Sequence, residues 1–160
     1  MEGKPLGSTR LRYPDARRDG GRRMQEVTIG RHAYSFEPPD LVVCVLQGDV
    51  SADEMRRMIA YGRARAEERA PVMVLVDVTG LGALPPETRK EVRGTVGTPY
   101  GAFAVCGATF RTKILCSLVL GAMRLLSGVQ TPVGFFDTEA EARRWIDEQR
   151  AAYECAISRT

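Results

Sequence analysis

The sequence contains a single histidine, His32, and its four cysteines show no CxxC spacing; they lie far apart at Cys44, Cys106, Cys116 and Cys155. Structural zinc sites take their ligands from closely spaced cysteines and histidines, so we expect no metal site. Cys44 and Cys106 lie within apolar runs, where a free thiol behaves as a small buried hydrophobe. This pattern favours a reduced, cytoplasmic protein.

The sequence also lacks the short motifs of the common enzyme classes. It has no Gly-Lys-Ser/Thr triplet for a Walker A loop, and Pro85 follows Gly80 and Gly82 where a dinucleotide fingerprint needs its third glycine. Leu75 stands where a phosphatase-type strand end would carry its nucleophilic aspartate. Catalysis by a Ser–His or Cys–His pair would have to use His32, which we interpret as an ordinary surface imidazole. We therefore expect no catalytic residue, no cofactor and no enzymatic activity.

Charge is distributed unevenly along the chain. Of 160 residues, positions 1–25 hold seven Lys/Arg and three Asp/Glu, whereas positions 26–160 hold 16 and 17. A nearly neutral body is atypical of a nucleic-acid-binding domain, so we expect no such partner. Residues 1–25 show neither apolar periodicity nor a secretory apolar segment, and we interpret them as a flexible basic arm. An electrostatic tether to an acidic partner or membrane surface, and a translation start at Met24, are the alternatives.

The remaining residues, 26–155, predict one α/β domain built on a mixed sheet with an N-terminal hairpin. VTIGRHAYSF and LVVCVLQG read as two strands joined by a proline-bearing turn, and PVMVLVDV reads as a strand buried on both sides. AFAVCG and TPVGFF are further short strands. Helices alternate with these strands, which is typical of parallel βαβ units.

Four segments predict the helices. SADEMRRMIAYGRARAEERA and DTEAEARRWIDEQRAAYE begin with capping boxes, Ser51 with Glu54 and Thr138 with Glu141. LPPETRKEVRGTV tolerates proline in its first turn. TFRTKILCSLVLGAMRLLSG is apolar nearly all round, yet its apolar run is shorter than the ~20 residues of a membrane span. We expect burial against the sheet, a self-association surface, or one wall of an apolar ligand pocket; the residues concerned are Ile114, Leu115, Leu118, Val119 and Met123.

A second candidate site lies where strands are expected to end. In VMVLVDVTGLGALPPE the apolar run ends on Asp77, and Thr79, Gly80 and Gly82 predict a turn. Ligands of open α/β sheets gather at the carboxyl ends of the strands. The predicted binding rim consists of Asp77, Thr79, Gly80, Gly82, Gly107 and Thr109, with Thr109 as a possible cap of the long apolar helix.

Four phrases give the chain a family resemblance: SFEPPDLVVCVLQGDVSADEM, VLVDVTGLGALPPETR, FAVCGATFRTKIL and PVGFFDTEAEARRWI. Over residues 27–150 the chain resembles the SpoIIAA-like proteins of the STAS/SEC14-like group, and FFDTEAEARRWI is the most specific phrase. The resemblance implies a small four-helix, mixed-sheet domain that acts by binding. In related anti-sigma-factor antagonists a serine after the middle strand is phosphorylated; here TGLGALPPETRK has no serine, and only Thr79 or Thr88 could substitute.

The SEC14-like branch of the resemblance consists of lipid carriers whose helices cover an apolar cavity. This chain is too short for the extra helices of those carriers, so it implies a partial groove. We therefore expect a cytoplasmic, non-enzymatic STAS-like module that binds a protein partner or a second copy through helix 110–127. The alternative is the binding or carriage of a small apolar ligand, a lipid or fatty acid, between that helix and the sheet.

Overall fold

A computed structural model describes residues 25–95, 97–127 and 131–158 of the chain. Nearly all of the predicted basic arm, residues 1–25, lies outside them. The elements in chain order are β1 (Gln25–Ile29), β2 (His32–Glu37), β3 (Leu41–Gly48), α1 (Ala52–Glu68), β4 (Val72–Leu81), α2 (Pro86–Glu91), a 3-10 turn (Val92–Thr95), β5 (Tyr100–Cys106), α3 (Phe110–Ser127), β6 (Val133–Phe136) and α4 (Glu139–Ile157).

The strands form one mixed sheet of six strands in the order β1-β2-β3-β4-β5-β6. The first three strands pair antiparallel, and β3 to β6 pair parallel. Each parallel connection passes through helical structure, as a chain must when it returns to the same end of a sheet. The predicted α/β class, with its mixed sheet and N-terminal hairpin, is confirmed.

Each face of the sheet carries its own apolar core. Side chains of β4 alternate between them: Val72 and Val74 join the core beneath α1 and α3, whereas Met73 and Leu75 join the core beneath α4. All four of these residues are buried. The expectation that this strand is covered on both faces is therefore confirmed, because helices lie on both sides.

Capping boxes in the sequence determine where helices α1 and α4 begin. The hydroxyl of Ser51 accepts a hydrogen bond from the Glu54 N–H at 3.2 Å, and the Glu54 carboxylate accepts one from the Ser51 N–H at 2.8 Å. Thr138 and Glu141 form the same reciprocal pair at the start of α4. Both predicted capping boxes are confirmed.

The first predicted strand is in fact a hairpin. β1 and β2 are separated by Gly30 and Arg31, and Gly30 has a φ of 62°, which glycine adopts at little cost. Sequence reasoning treated VTIGRHAYSF as one extended strand and so missed this turn. The second helix is also shorter than expected, because α2 passes into the 3-10 turn at Val92.

His32 is fully buried, so its interpretation as a surface imidazole is wrong. Its Nδ1 accepts a hydrogen bond from the Gln47 N–H at 3.1 Å, beside the register shift between Val45 and Gln47 in the β3–β4 pairing. Its Nε2 lies 3.8 Å from the Glu54 carboxylate. The imidazole therefore ties the first hairpin to the end of β3 and to the start of α1.

Candidate functional site

An apolar cavity of about 180 Å³ lies between the sheet and the helices on one face. Its walls come from β2 to β5, from α1, α2 and the 3-10 turn, and from α3. Apolar side chains dominate them, among which are Met55, Met58, Leu81, Phe103, Val119 and Leu120. Walls of this kind offer water few hydrogen-bond partners.

The cavity exists because α3 does not pack tightly on the sheet. No side chain described in α3 is fully buried, although Leu120 packs against the core of this face. By contrast, α1 approaches closely at Gly62, where an added Cβ would lie 2.6 Å from the Tyr100 hydroxyl oxygen. The close contact of α1 and the looser position of α3 leave the space between them.

The two sides of α3 have different surroundings. Cys116, Val119 and Leu120 line the cavity. Phe110 and Leu125, which are 81% and 89% exposed, lie with Ile114 and Leu118 on the outer side. Successive residues of a helix are about 100° apart, which places these outer residues opposite the cavity-lining ones.

The structure therefore divides the five residues predicted for an apolar interface or groove. Val119 lines the cavity, Ile114 and Leu118 are exposed on the outer side, and Leu115 is half-buried. The side chain of Met123 lies outside the described residues. Burial against the sheet, the first of the three expectations for α3, holds only for its inner side, because the apolar side chains on its outer side are exposed.

The buried thiols and tyrosine hydroxyls in the cavity wall stay uncharged. Burial raises the pKa of the Cys44 thiol to about 12, and burial also raises the pKa values of Tyr34, Tyr100 and Cys116. A thiol is nucleophilic only as thiolate, so Cys44 is unreactive near neutral pH. The cavity wall suits binding of an apolar group.

The predicted rim does not form the turn that the sequence suggested. β4 continues through Thr79 and Gly80 to Leu81, and Gly80 pairs with Gln47 of β3. The prediction of a turn directly after Asp77 is wrong. Sequence reasoning gave the glycines too much weight, because here glycine allows close contact: a Cβ at Gly80 would collide with the Gln47 side chain.

Part of the predicted rim does come together. Asp77 pairs with Cys106 across β4 and β5, and its carboxylate accepts a hydrogen bond from the Thr79 N–H at 2.8 Å. Gly107, with a φ of 71°, follows β5 and lies so near Thr79 that a Cβ would collide with the threonine hydroxyl. The Asp77 carboxylate thus accepts a hydrogen bond from the backbone two residues further along the chain, as in an Asx turn.

The other rim residues also have local partners. Gly82 donates its N–H to the Gly48 carbonyl oxygen at 2.8 Å and lies against Asp49, away from Gly107. Thr109 accepts a hydrogen bond from the Thr112 N–H at 3.3 Å and so caps α3 as expected. Within the described ranges, no cluster of three or more His, Cys, Asp or Glu side chains is placed to hold a metal ion.

Of the two threonines that could substitute for a phosphorylated serine, one is inaccessible. Thr88 is fully buried and donates its hydroxyl to the Val50 carbonyl oxygen at 2.8 Å. Thr79 is exposed at the end of the sheet. Phosphorylation at Thr88 would therefore require the α2 segment to detach.

Comparison with known proteins identifies no family. A scan against protein-family models finds no match, and a search of curated proteins finds none either. In the part of the chain that the structure describes, no helix has the length and apolarity to cross a membrane.

Sequence reasoning missed most of the cavity wall. It assigned no binding role to α1, α2 or the 3-10 turn, although Ile59, Arg89 and Thr95 line the cavity. Helix α1 contributes Met55, Met58, Ile59 and Gly62 at helical spacing, but an apolar face that fills a core and one that borders a void have the same periodicity. No sequence signal distinguishes the two.

Proposed function

We propose that this chain binds a small apolar ligand in the cavity beneath α3. The observation that carries the proposal is the apolar cavity of about 180 Å³ between α3 and the sheet. An engineered cavity of about 150 Å³ with similar lining stays dry and binds benzene. By that comparison this cavity accommodates about six to eight carbon atoms, so a short hydrocarbon chain fits inside and a longer one would extend to solvent.

The expected affinity follows from the size of the cavity. Burying seven methylene groups at ~0.8 kcal/mol each gives about 5–6 kcal/mol, before the cost of immobilising the ligand. This energy alone corresponds to about 40–200 micromolar, and the immobilisation cost weakens binding further, so dissociation constants of about a hundred micromolar to a few millimolar follow. Such a site suits a ligand that is taken up and released, as in a carrier or a sensor.

The test uses 1-octanol as the probe and calorimetry as the measurement. Val119→Phe places a larger side chain in the cavity wall, whereas Leu118→Phe makes a matched change on the outer side of α3. We expect wild type and Leu118→Phe to bind 1-octanol, and Val119→Phe to bind at least tenfold more weakly. Equal binding by the two variants would contradict the proposal, and so would the absence of binding to wild type.

Cysteine labelling provides an independent readout of the location. Cys116 lines the cavity on α3, whereas Cys155 is exposed on α4. Bound 1-octanol should slow maleimide labelling of Cys116 and leave the rate at Cys155 unchanged. If 1-octanol slowed labelling of Cys155 and left the rate at Cys116 unchanged, the ligand would bind elsewhere.

A second candidate function is docking of a protein partner on the outer side of α3, as the resemblance to STAS-domain proteins implies. It is supported by four exposed apolar side chains on one side of that helix: Phe110, Ile114, Leu118 and Leu125. Monomers rarely expose such a continuous apolar stripe without using it. The helix also holds Arg111, which is exposed, and Lys113, whose ammonium lies 3.5 Å from the Asp137 carboxylate, but its sequence contains no acidic residue.

This charge pattern favours a partner whose docking surface is apolar and acidic over a second copy of the chain. Light scattering after size-exclusion chromatography should therefore show a monomer. The wild-type chain should capture a partner protein that binds it again after purification, and Leu118→Glu should abolish this binding. A wild-type dimer that Leu118→Glu dissociates would instead assign the stripe to self-association.

A further inference from the structure

Arg89 is the one fully charged side chain among the described residues that line the apolar cavity. It lies in α2, and it is exposed although it borders the cavity. A long arginine side chain at such a position packs its methylene groups along apolar surface and keeps its guanidinium in water. The charge therefore lies where the cavity meets solvent.

Two basic side chains on the neighbouring helix α1 have polar partners, whereas the Arg89 side chain has none among the described residues. Arg56 bonds to Glu91 at 2.9 Å, and Arg63 donates to the Gly94 carbonyl oxygen at 2.6 Å. The structure shows no hydrogen bond or ion pair of the Arg89 side chain with any described residue. On the same short helix, the carboxylate of Glu91 is paired with Arg56 instead.

We infer that Arg89 binds the head group of the ligand, and that the ligand is therefore an anionic amphiphile with a carboxylate next to its hydrocarbon chain. This inference rests on the proposed function. The guanidinium fork matches a carboxylate with two parallel hydrogen bonds, and the apolar wall accepts the chain that follows. With no acidic residue in the described lining, nothing there repels a carboxylate.

The test compares sodium octanoate with 1-octanol, two probes of equal chain length that differ in the head group. Arg89→Gln removes the charge, and Lys90→Gln is the matched control, because Lys90 is the adjacent exposed cation on α2 and does not line the cavity. The full chain is titrated at pH 7.5. The salt concentration is kept low, because screening at high salt would weaken the difference in affinity between the two probes.

We expect wild type to bind octanoate about three- to tenfold more tightly than 1-octanol, as befits a charged hydrogen bond at a partly exposed site. Arg89→Gln should remove this preference and leave 1-octanol binding unchanged, which also shows that the cavity is intact. Lys90→Gln should keep the preference.

Two results would overturn the inference while leaving the proposed function in place: equal binding of both probes to wild type, or an equal loss of octanoate affinity in the two variants. Binding of neither probe to wild type would instead remove the proposed function, and with it the role of Arg89.

Discussion

Truncation of two nearby leucines of α3 tests the orientation on which both proposals depend. Leu120 faces the cavity and packs against the core, whereas Leu118 is 66% exposed on the opposite side. Leu120→Ala and Leu118→Ala remove the same atoms from the same helix. They differ only in what surrounds those atoms.

The expected magnitudes follow from burial. Truncation of a fully buried leucine costs about 2–5 kcal/mol. Leu120 is only partly buried and already borders a void, so we expect Leu120→Ala to lower the free energy of unfolding by about 1–2 kcal/mol. Leu118→Ala should change it by less than about 0.5 kcal/mol, as for other surface substitutions.

Urea unfolding followed by tryptophan fluorescence measures this difference. Trp145, the one tryptophan of the chain, packs on Phe136 with ring centroids 5.4 Å apart, on the face of the sheet opposite to α3. Its signal therefore reports unfolding of the whole domain. If Leu118→Ala were as destabilising as Leu120→Ala, the assignment of the inner and outer sides of α3 would be refuted.

Three further predictions concern caps, buried bonds and thiols. Ser51→Ala should cost about 1 kcal/mol at pH 7 and less below pH 4. The backbone N–H and the hydroxyl of Ser51 both lower the pKa of Glu54 by donating to its carboxylate, and the variant removes only the hydroxyl's bond. The stabilisation from that bond is present above the ordinary carboxyl pKa and is lost as pH falls through the lowered value, so equal costs in denaturation at both pH values would contradict this. Thr88→Val should cost about 1–3 kcal/mol in the same assay, because it leaves a buried carbonyl oxygen unpaired, and Thr88→Ser should cost less. Maleimide at pH 8 should label the exposed Cys155 long before Cys106, whose pKa burial raises to about 11, leaving about one part in a thousand as thiolate; comparable rates in peptide mapping would contradict it.

Features that depend on neighbouring residues in the sequence were predictable. Both capping boxes were readable because each joins residues three positions apart, and the continuous apolar run of β4 indicated burial on both faces. The order of strands and helices predicted the α/β class in the same way.

Features that depend on packing between distant segments were not predictable. The burial of His32 requires the bulged end of β3 and the start of α1 to meet around it. The extension of β4 through Gly80 depends on its pairing with Gln47, which overrides the turn tendency of glycine. The cavity depends on a distance between helix and sheet, and hydrophobic periodicity contains no such distance.

Methyl-labelled NMR with 1-octanol tests the central claim most directly, because it locates the ligand in the intact chain. We expect shifts that saturate at the methyl groups of Val74, Val119 and Leu120, which line the cavity, while those of Leu41 and Ile146 on the other face stay unchanged. Shifts confined to the exposed Leu118 and Leu125, or no saturable shift at all, would contradict the account.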